Sequence, residues 1–108
     1  MPVWHTLPVD DQECLTLTSW QVLQLPNGDR HLVGYCIENS EGRVSTVVRE
    51  FDTGKLHAKT DSGRVYILRG RPGGDLEAAY VWERWTRINS ADSWEDVTAA
   101  VWAQHSGE

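Results

Sequence analysis

A chain of 108 residues with a formal charge of −6 is the size of one domain and long enough for a single core. Its acidity argues against non-specific nucleic-acid binding, which needs a basic surface. No stretch approaches the ~18 apolar residues of a bilayer-crossing helix, so no membrane partner is expected. In chain order, residues 1–13 hold Pro2, Pro8 and the acids Asp10, Asp11 and Glu13, and an extended N-terminal arm is expected there. Residues 14–108 are expected to form one α+β domain. The N-terminus has no basic run followed by an apolar run, so no signal peptide is expected and a cytoplasmic setting is the default.

Residues 14–25 are rich in β-branched and aromatic side chains and predict a strand. Pro26-Asn27-Gly28-Asp29 follows, and Asn-Gly between alternating apolar segments predicts a hairpin with a two-residue type I′ turn. That turn pairs Leu25 with Arg30, Leu23 with Leu32, Val22 with Val33 and Trp20 with Tyr35. One face then collects Trp20, Val22, Val33, Tyr35 and Ile37, the other Leu23, Leu25 and Leu32. The same register sets Cys36 opposite Ser19, five residues from Cys14. At about 3.3 Å per residue that is roughly 16 Å, beyond disulfide reach, and two free thiols suit a reducing compartment.

Asn39-Ser40-Glu41-Gly42 predicts the next turn, and residues 43–51 a third strand. After Asp52-Thr53-Gly54 comes a short strand at 55–60, whose Lys55, His57 and Lys59 suit a guarded sheet edge. Asp61-Ser62-Gly63 turns into a fifth strand at 64–69. With Val65 and Ile67 on one side and Tyr66 and Leu68 on the other, that strand reads as central. Gly70–Gly74 ends the sheet, and Asp75 caps a helix over 76–88 whose inner stripe is Ala78, Val81, Trp82, Trp85 and Ile88. Val65, Ile67, Trp82 and Trp85 would form the sheet–helix core. Ser93 begins a second helix over 94–104, with Trp94, Val97, Val101 and His105 facing inward and Trp102 off that stripe. The expected architecture is an antiparallel β-meander of about five strands followed by two C-terminal helices packed on the sheet, a two-layer α+β fold.

The motifs that carry chemistry are few. His5, His31, His57 and His105 share no metal-site spacing, and there is no CxxC or HxxxH, so neither metal nor cofactor is expected. Cys36 sits mid-strand as a packed thiol rather than a nucleophile. A small hydrolase or metal enzyme built on Cys36, His31 or His57 is the remotest reading, and no catalytic residue is assigned. The glycine-rich loop before Asp75 lacks the Gly-Lys-Ser/Thr of a phosphate-binding loop, and the Asp75 carboxylate would repel an anion there.

Charge is unevenly spread. Residues 41–74 carry seven bases and four acids, residues 75–108 two bases and seven acids. In the basic stretch Arg64, Tyr66, Arg69 and Arg71 form a basic–aromatic cluster of the kind that stacks on and pairs with nucleic acid. In the acidic stretch Glu83, Asp92, Glu95 and Asp96 can present spaced negative charge to a basic groove on a partner. Trp102 and Trp4 are the tryptophans expected to join that contact. Six tryptophans serve first as core, each ring burying about 150–250 Å², and second as binding anchors.

The segments WQVLQLPNGDRHLVGY (Trp20–Tyr35), GRVSTVV (Gly42–Val48), SGRVYILRG (Ser62–Gly70), PGGD (Pro72–Asp75) and AAYVWERW (Ala78–Trp85) resemble small uncharacterised proteins of bacterial plasmids, prophages and integrative elements. The resemblance spans residues 20–89. It implies a bacterial mobile-element origin and, by association, the blocking of host defence machinery as anti-CRISPR and anti-restriction proteins do. It transfers no catalytic residue. The expectation is therefore a non-enzymatic module that occupies a host protein or complex, one that itself handles nucleic acid. A nucleic-acid-binding accessory protein is the first alternative and the small hydrolase or metal enzyme the second, and a homodimer through an open sheet edge is compatible with all three.

Overall fold

The computed structural model describes residues 14–106. The expected N-terminal arm and Trp4 lie outside the described residues. The fold is α+β, with seven strands in one mixed sheet and two helices. β1 (Cys14–Gln24), β2 (Arg30–Cys36) and β3 (Glu41–Val44) form one antiparallel meander, and β4 (Val48–Asp52), β5 (His57–Thr60) and β6 (Val65–Leu68) form a second. The two meet through a parallel β1–β6 pair in the middle of the order β3-β2-β1-β6-β5-β4. α1 (Leu76–Ile88), the two-residue β7 (Glu95–Asp96) and α2 (Thr98–Ser106) complete the chain. The sheet is thus neither wholly antiparallel nor limited to about five strands.

The first hairpin forms in a register one residue away from the expected one. Gly28 N donates to Leu25 O (2.9 Å) and Leu25 N to Asp29 O (2.8 Å), so the loop is the three residues Pro26-Asn27-Gly28. Of these only Gly28 has positive φ (96°). Pro26, with φ fixed near −65°, suits the second position of a type I turn, and a left-handed glycine then completes the three-residue loop. A type I′ turn would need Asn27 left-handed as well. Leu23 consequently faces His31, and Val22 faces Leu32.

A bulge alters the pairing again. Thr18 pairs with Tyr35 but Gln21 with Val33, so β1 holds one extra residue there, and Ser19 takes φ 49°. The insertion reverses the alternation of β1. Leu15 and Leu17 before it and Trp20 and Val22 after it all enter one core, with Leu32, Cys36, Tyr66 and Leu68. Gly34 lies across from the bulge, where a Cβ would sit 3.1 Å from both Thr18 O and Trp20 Cα. The loop 70–74 closes over the same place: Trp20 Nε1 donates to Gly70 O (3.1 Å) and Gly73 N to Trp20 O (3.0 Å).

The expected third strand, 43–51, is two strands that run in the same direction at opposite ends of the sheet. Ser45 stays with β2, its N donating to Leu32 O (2.9 Å), whereas Val47 O accepts from Asp61 N (2.8 Å) beyond β5. Five strand spacings of ~4.8 Å would set the ends of a flat sheet about 24 Å apart. The four residue steps from Val44 to Val48 span at most about 14 Å. The sheet must therefore roll, and the bent 41–52 segment ties its two ends together. β5 is interior, between β4 and β6, not an edge. Its lysine and histidine mark an exposed face, since His57 and Lys59 alternate with the buried Ala58 and Thr60.

The two helices cover opposite faces. Val101 of α2 enters the core of Leu15, Leu17, Trp20 and Leu32, with Val97 and Trp102 packed against it. Ala78 and Trp82 of α1 pack with Leu23 and Val33, which point the other way from their neighbours Val22 and Leu32. The expected Val65–Ile67 contact with α1 does not form. β6 turns Tyr66 and Leu68 into the core, and α1 lies over β2 and β3. Asp75 caps α1 as expected, accepting from Ala78 N (2.9 Å). The buried line of α1 is Ala78, Trp82 and Thr86, and Ile88 points outward. The second helix starts later than expected because residues 95–96 pair with Leu23 and Gln24 of β1. β6 pairs only with residues 14–17 of that strand, so its distal end has room for β7. Asp96, three residues beyond the expected start at Ser93, then does the capping, accepting from Thr98 N (2.9 Å).

α1 rests on β3 through a backbone-to-backbone approach. A Cβ on Gly42 would fall on the Ala78 backbone nitrogen and within 2.5 Å of the Glu77 carbonyl carbon. Gly42→Ala is expected to lift the start of α1 and to cost on the order of 1–3 kcal/mol, as overpacking does. Denaturant unfolding should read this as a lowered midpoint, and an unchanged midpoint would contradict the close approach.

Candidate functional site

The face under α1 carries a stack of rings. Trp82 and Trp85 are one turn apart on α1 and lie nearly parallel, centroids 5.1 Å apart and planes 9° from each other. His31 of β2 packs on Trp85 at 4.6 Å. It is fixed by a 2.8 Å contact from Nδ1 to Ser45 O. A carbonyl oxygen only accepts, so Nδ1 carries the hydrogen. Trp94, just before β7, meets Trp82 edge to face at 5.4 Å and 89°. Such offset and edge geometries each add about 0.5–1.5 kcal/mol beyond area burial. The Trp82 indole N–H has no hydrogen-bond partner among the described residues.

Trp94 is the outermost ring, 43% exposed. It walls a groove of ≈ 290 Å³ with Gln24, Leu25, Pro26, Ser93 and Glu95. The first hairpin thus supplies one side and the β7 approach the other. Asp92 and Glu95 are exposed beside Trp94 in the chain, and the two-residue β7 pairing fixes Glu95 against Gln24. Expected inside a helix, Trp94 instead stands at the surface. The chain signals it only through the acids that flank it.

The other expected contact residues divide. Asp96 is exposed but engaged: Oδ1 accepts from Thr98 N, and Oδ2 from Gln21 Nε2 (3.3 Å). Its role is to seat α2 on β1. Glu83 is exposed on α1 and pairs with Arg87 one turn on (3.8 Å). Trp102 is half-buried against the core, 6.2 Å from Trp20 and 5.2 Å from His105. Being off the expected stripe did not make it outward-facing: Val97 and Val101 turn inward as expected, and Trp102 packs against the same core beside them.

The basic–aromatic cluster does not assemble at the surface. Tyr66 is buried in the core, and its hydroxyl accepts from Arg43 Nε (2.8 Å). Arg64 is buried as well, leaving only Arg69 and Arg71 exposed. A ring inside the core offers no stacking platform, which corrects the role expected for Tyr66.

Cys36 and His31 are buried on opposite faces of β2, and His57 is exposed on β5. Among the described residues no three His, Cys, Asp or Glu side chains gather as a metal site would require. Cys14 and Cys36 are free, and Cys14 is exposed. Burial pushes the Cys36 thiol up from its ordinary value. The Asn39 backbone and Arg43 act against that shift, and the Glu38 charge adds to it. Glu38 goes the other way. Desolvation alone would raise it, but Thr16 N (2.7 Å) and Thr16 Oγ1 (2.8 Å) donate to its carboxylate, and such bonds hold it below the usual glutamate range. No helix among the described residues is long and apolar enough to cross a membrane.

Comparison with family models, with curated proteins and with solved structures finds no match to this chain.

A thiol reagent should modify Cys14 rapidly and Cys36 only on unfolding, so a native titration is expected to stop at one equivalent. Equal rates at both thiols would contradict the packing of Cys36. Glu38, with its folded value depressed, contributes stability that is present above the ordinary glutamate value and is lost as pH falls through the lower folded value. Glu38→Gln is therefore expected to flatten the acid limb of the stability–pH curve. An acid limb identical to that of the parent chain would rule out the Thr16–Glu38 contribution.

Proposed function

We propose that this protein is a non-enzymatic protein-binding module whose docking surface is the corner formed by Trp94, Glu95 and Asp92 over the Gln24–Pro26 hairpin. The observation that carries this reading is the half-exposed Trp94 ring, held edge-on by buried Trp82 and set in a groove beside a carboxylate. A pre-ordered tryptophan gives large contact area at little entropic cost, which is why such rings dominate binding energetics. The acids around it favour a basic partner surface and repel nucleic acid. Glu83 is exposed on α1, where Arg87 pairs with it and balances its charge.

The resemblance to proteins of bacterial mobile elements points to the class of partner: a host defence protein or complex that handles nucleic acid and therefore carries a basic groove. Occupying such a groove inhibits it without any reaction. In a capture experiment from bacterial lysate, the parent chain is expected to retain a nucleic-acid enzyme. Trp94→Ala and Glu95→Arg should each weaken that complex at least about tenfold, and Arg71→Ala should leave it intact. Retention that is indifferent to the Trp94 and Glu95 changes would sink the proposal.

A further inference from the structure

The outer face of α1 carries most of the large apolar side chains exposed among the described residues. Among the described residues five large apolar side chains are exposed, and three of them, Leu76 (92%), Tyr80 (59%) and Ile88 (75%), lie on this helix. With Arg84 they form one row at i, i+4, i+8 and i+12, a single ridge on the helix surface. The Arg84 guanidinium lies 5.9 Å from the centroid of the Tyr80 ring. None of these residues belongs to either core cluster. Ile88 was expected to face inward, so the ridge is wider and more apolar than the periodicity predicts.

We propose that a second copy of this chain covers the ridge, with the two α1 helices packed antiparallel about a two-fold axis level with Trp82. The charge pattern selects this occupant and this direction. In the antiparallel arrangement Leu76 comes level with Ile88 of the second copy, Glu77 with Arg87, and Tyr80 with Arg84. Every such level matches apolar with apolar, acid with base, or cation with aromatic ring, and each match occurs twice, as an isologous contact requires. A parallel pair would set Glu77, Arg84 and Arg87 each against its own copy, and like charges in contact are destabilising.

Net charge favours the same face. The chain carries −6, so most approaches of two copies are repulsive. α1 itself has two acids, Glu77 and Glu83, and two bases, Arg84 and Arg87, and is neutral between its ends. The ridge is about 18 Å long at 1.5 Å per residue. One helix face of that length and about 10 Å wide presents roughly 200 Å², below the roughly 800 Å² per partner of a standard stable interface, so the dimer dissociates on dilution. This surface is distinct from the Trp94–Glu95 corner, and the dimer stands or falls independently of the partner proposed there.

Sedimentation velocity of the full chain, in reductant so that exposed Cys14 cannot crosslink, is expected to show a monomer–dimer equilibrium between micromolar and millimolar concentration. Tyr80→Glu changes an exposed side chain and should raise the dissociation constant at least about tenfold, with an unchanged circular dichroism spectrum. Glu77→Arg and Arg87→Glu should each weaken the dimer, and the two together should recover most of the loss, because the double reversal restores the match in trans. A chain monomeric throughout, a dimer indifferent to Tyr80→Glu, or a double reversal no better than the single ones would each overturn the antiparallel pairing.

Discussion

The one extra residue in β1 at Ser19 is the constraint on which the rest of the structure depends. Strand side chains alternate between faces, so without an insertion Leu15 and Leu17 would share a face with Gln21 and Leu23, and Trp20 would leave the core. The bulge reverses the alternation once. Leu15, Leu17, Trp20 and Val22 then all enter one core, and Leu23 is released to the other face, where α1 covers it. Both cores are thus made by a single strand that changes sides midway. The cost is a left-handed serine. Gly34 opposite and the 70–74 loop above, bonded to both ends of the Trp20 residue, hold the irregularity in place.

β1 also carries the topology. It pairs with β2 along its length on one side, and with β6 and then β7 on the other. Because β6 occupies only the first four residues, the far end of β1 has free hydrogen-bonding groups that β7 fills. An unpaired buried backbone group costs about as much as a lost hydrogen bond, so recruitment of 95–97 is the expected remedy. It also fixes α2, since Thr98 Oγ1, at the first residue of the helix, accepts from Val22 N (2.9 Å). α2 enters the core of Leu15, Leu17 and Trp20 through Val101, while α1 packs on Leu23 and Val33 through Ala78 and Trp82 and keeps Leu76, Tyr80 and Ile88 exposed on its other side.

What could be read in the sequence was what is local. The extent of α1 and its Asp75 cap, the turns at Gly28, Gly54 and Gly63, and the central place of residues 65–68 all follow from short-range chemistry. Most of what failed involved distant pairing. The 43–51 run is one extended stretch by composition, and nothing in Ser45-Thr46-Val47 announces that its halves join opposite ends of a rolled sheet. Lys59 and His57 looked like edge protection, yet one exposed face produces the same alternation. Asn27-Gly28 marked the hairpin correctly, but Pro26 decided the loop length, and a shift of one residue exchanges every side chain between faces. Of the candidate surface, Glu83, Asp92 and Glu95 were legible as exposed acids. Trp94 was not, because its exposure depends on residues 95–96 becoming a strand.

The division of the acids follows from the same event. Had residues 93–96 begun a helix, Asp92, Glu95 and Asp96 would all serve its positive N-terminal end, and none would be left for a partner. Pairing of β7 with β1 moves the helix start to Thr98, so one carboxylate, Asp96, performs the capping. Glu95 is carried to the rim of the groove beside Trp94. In the basic half of the chain Arg64 is buried and Arg43 donates to the Tyr66 hydroxyl, while Arg49, Lys55, Lys59, Arg69 and Arg71 stay exposed, with Arg49 paired to Asp61 at 3.0 Å. The C-terminal segments keep Asp92 and Glu95 exposed. An acidic, tryptophan-bearing corner emerges from the requirements of strand pairing, before any requirement of binding is considered.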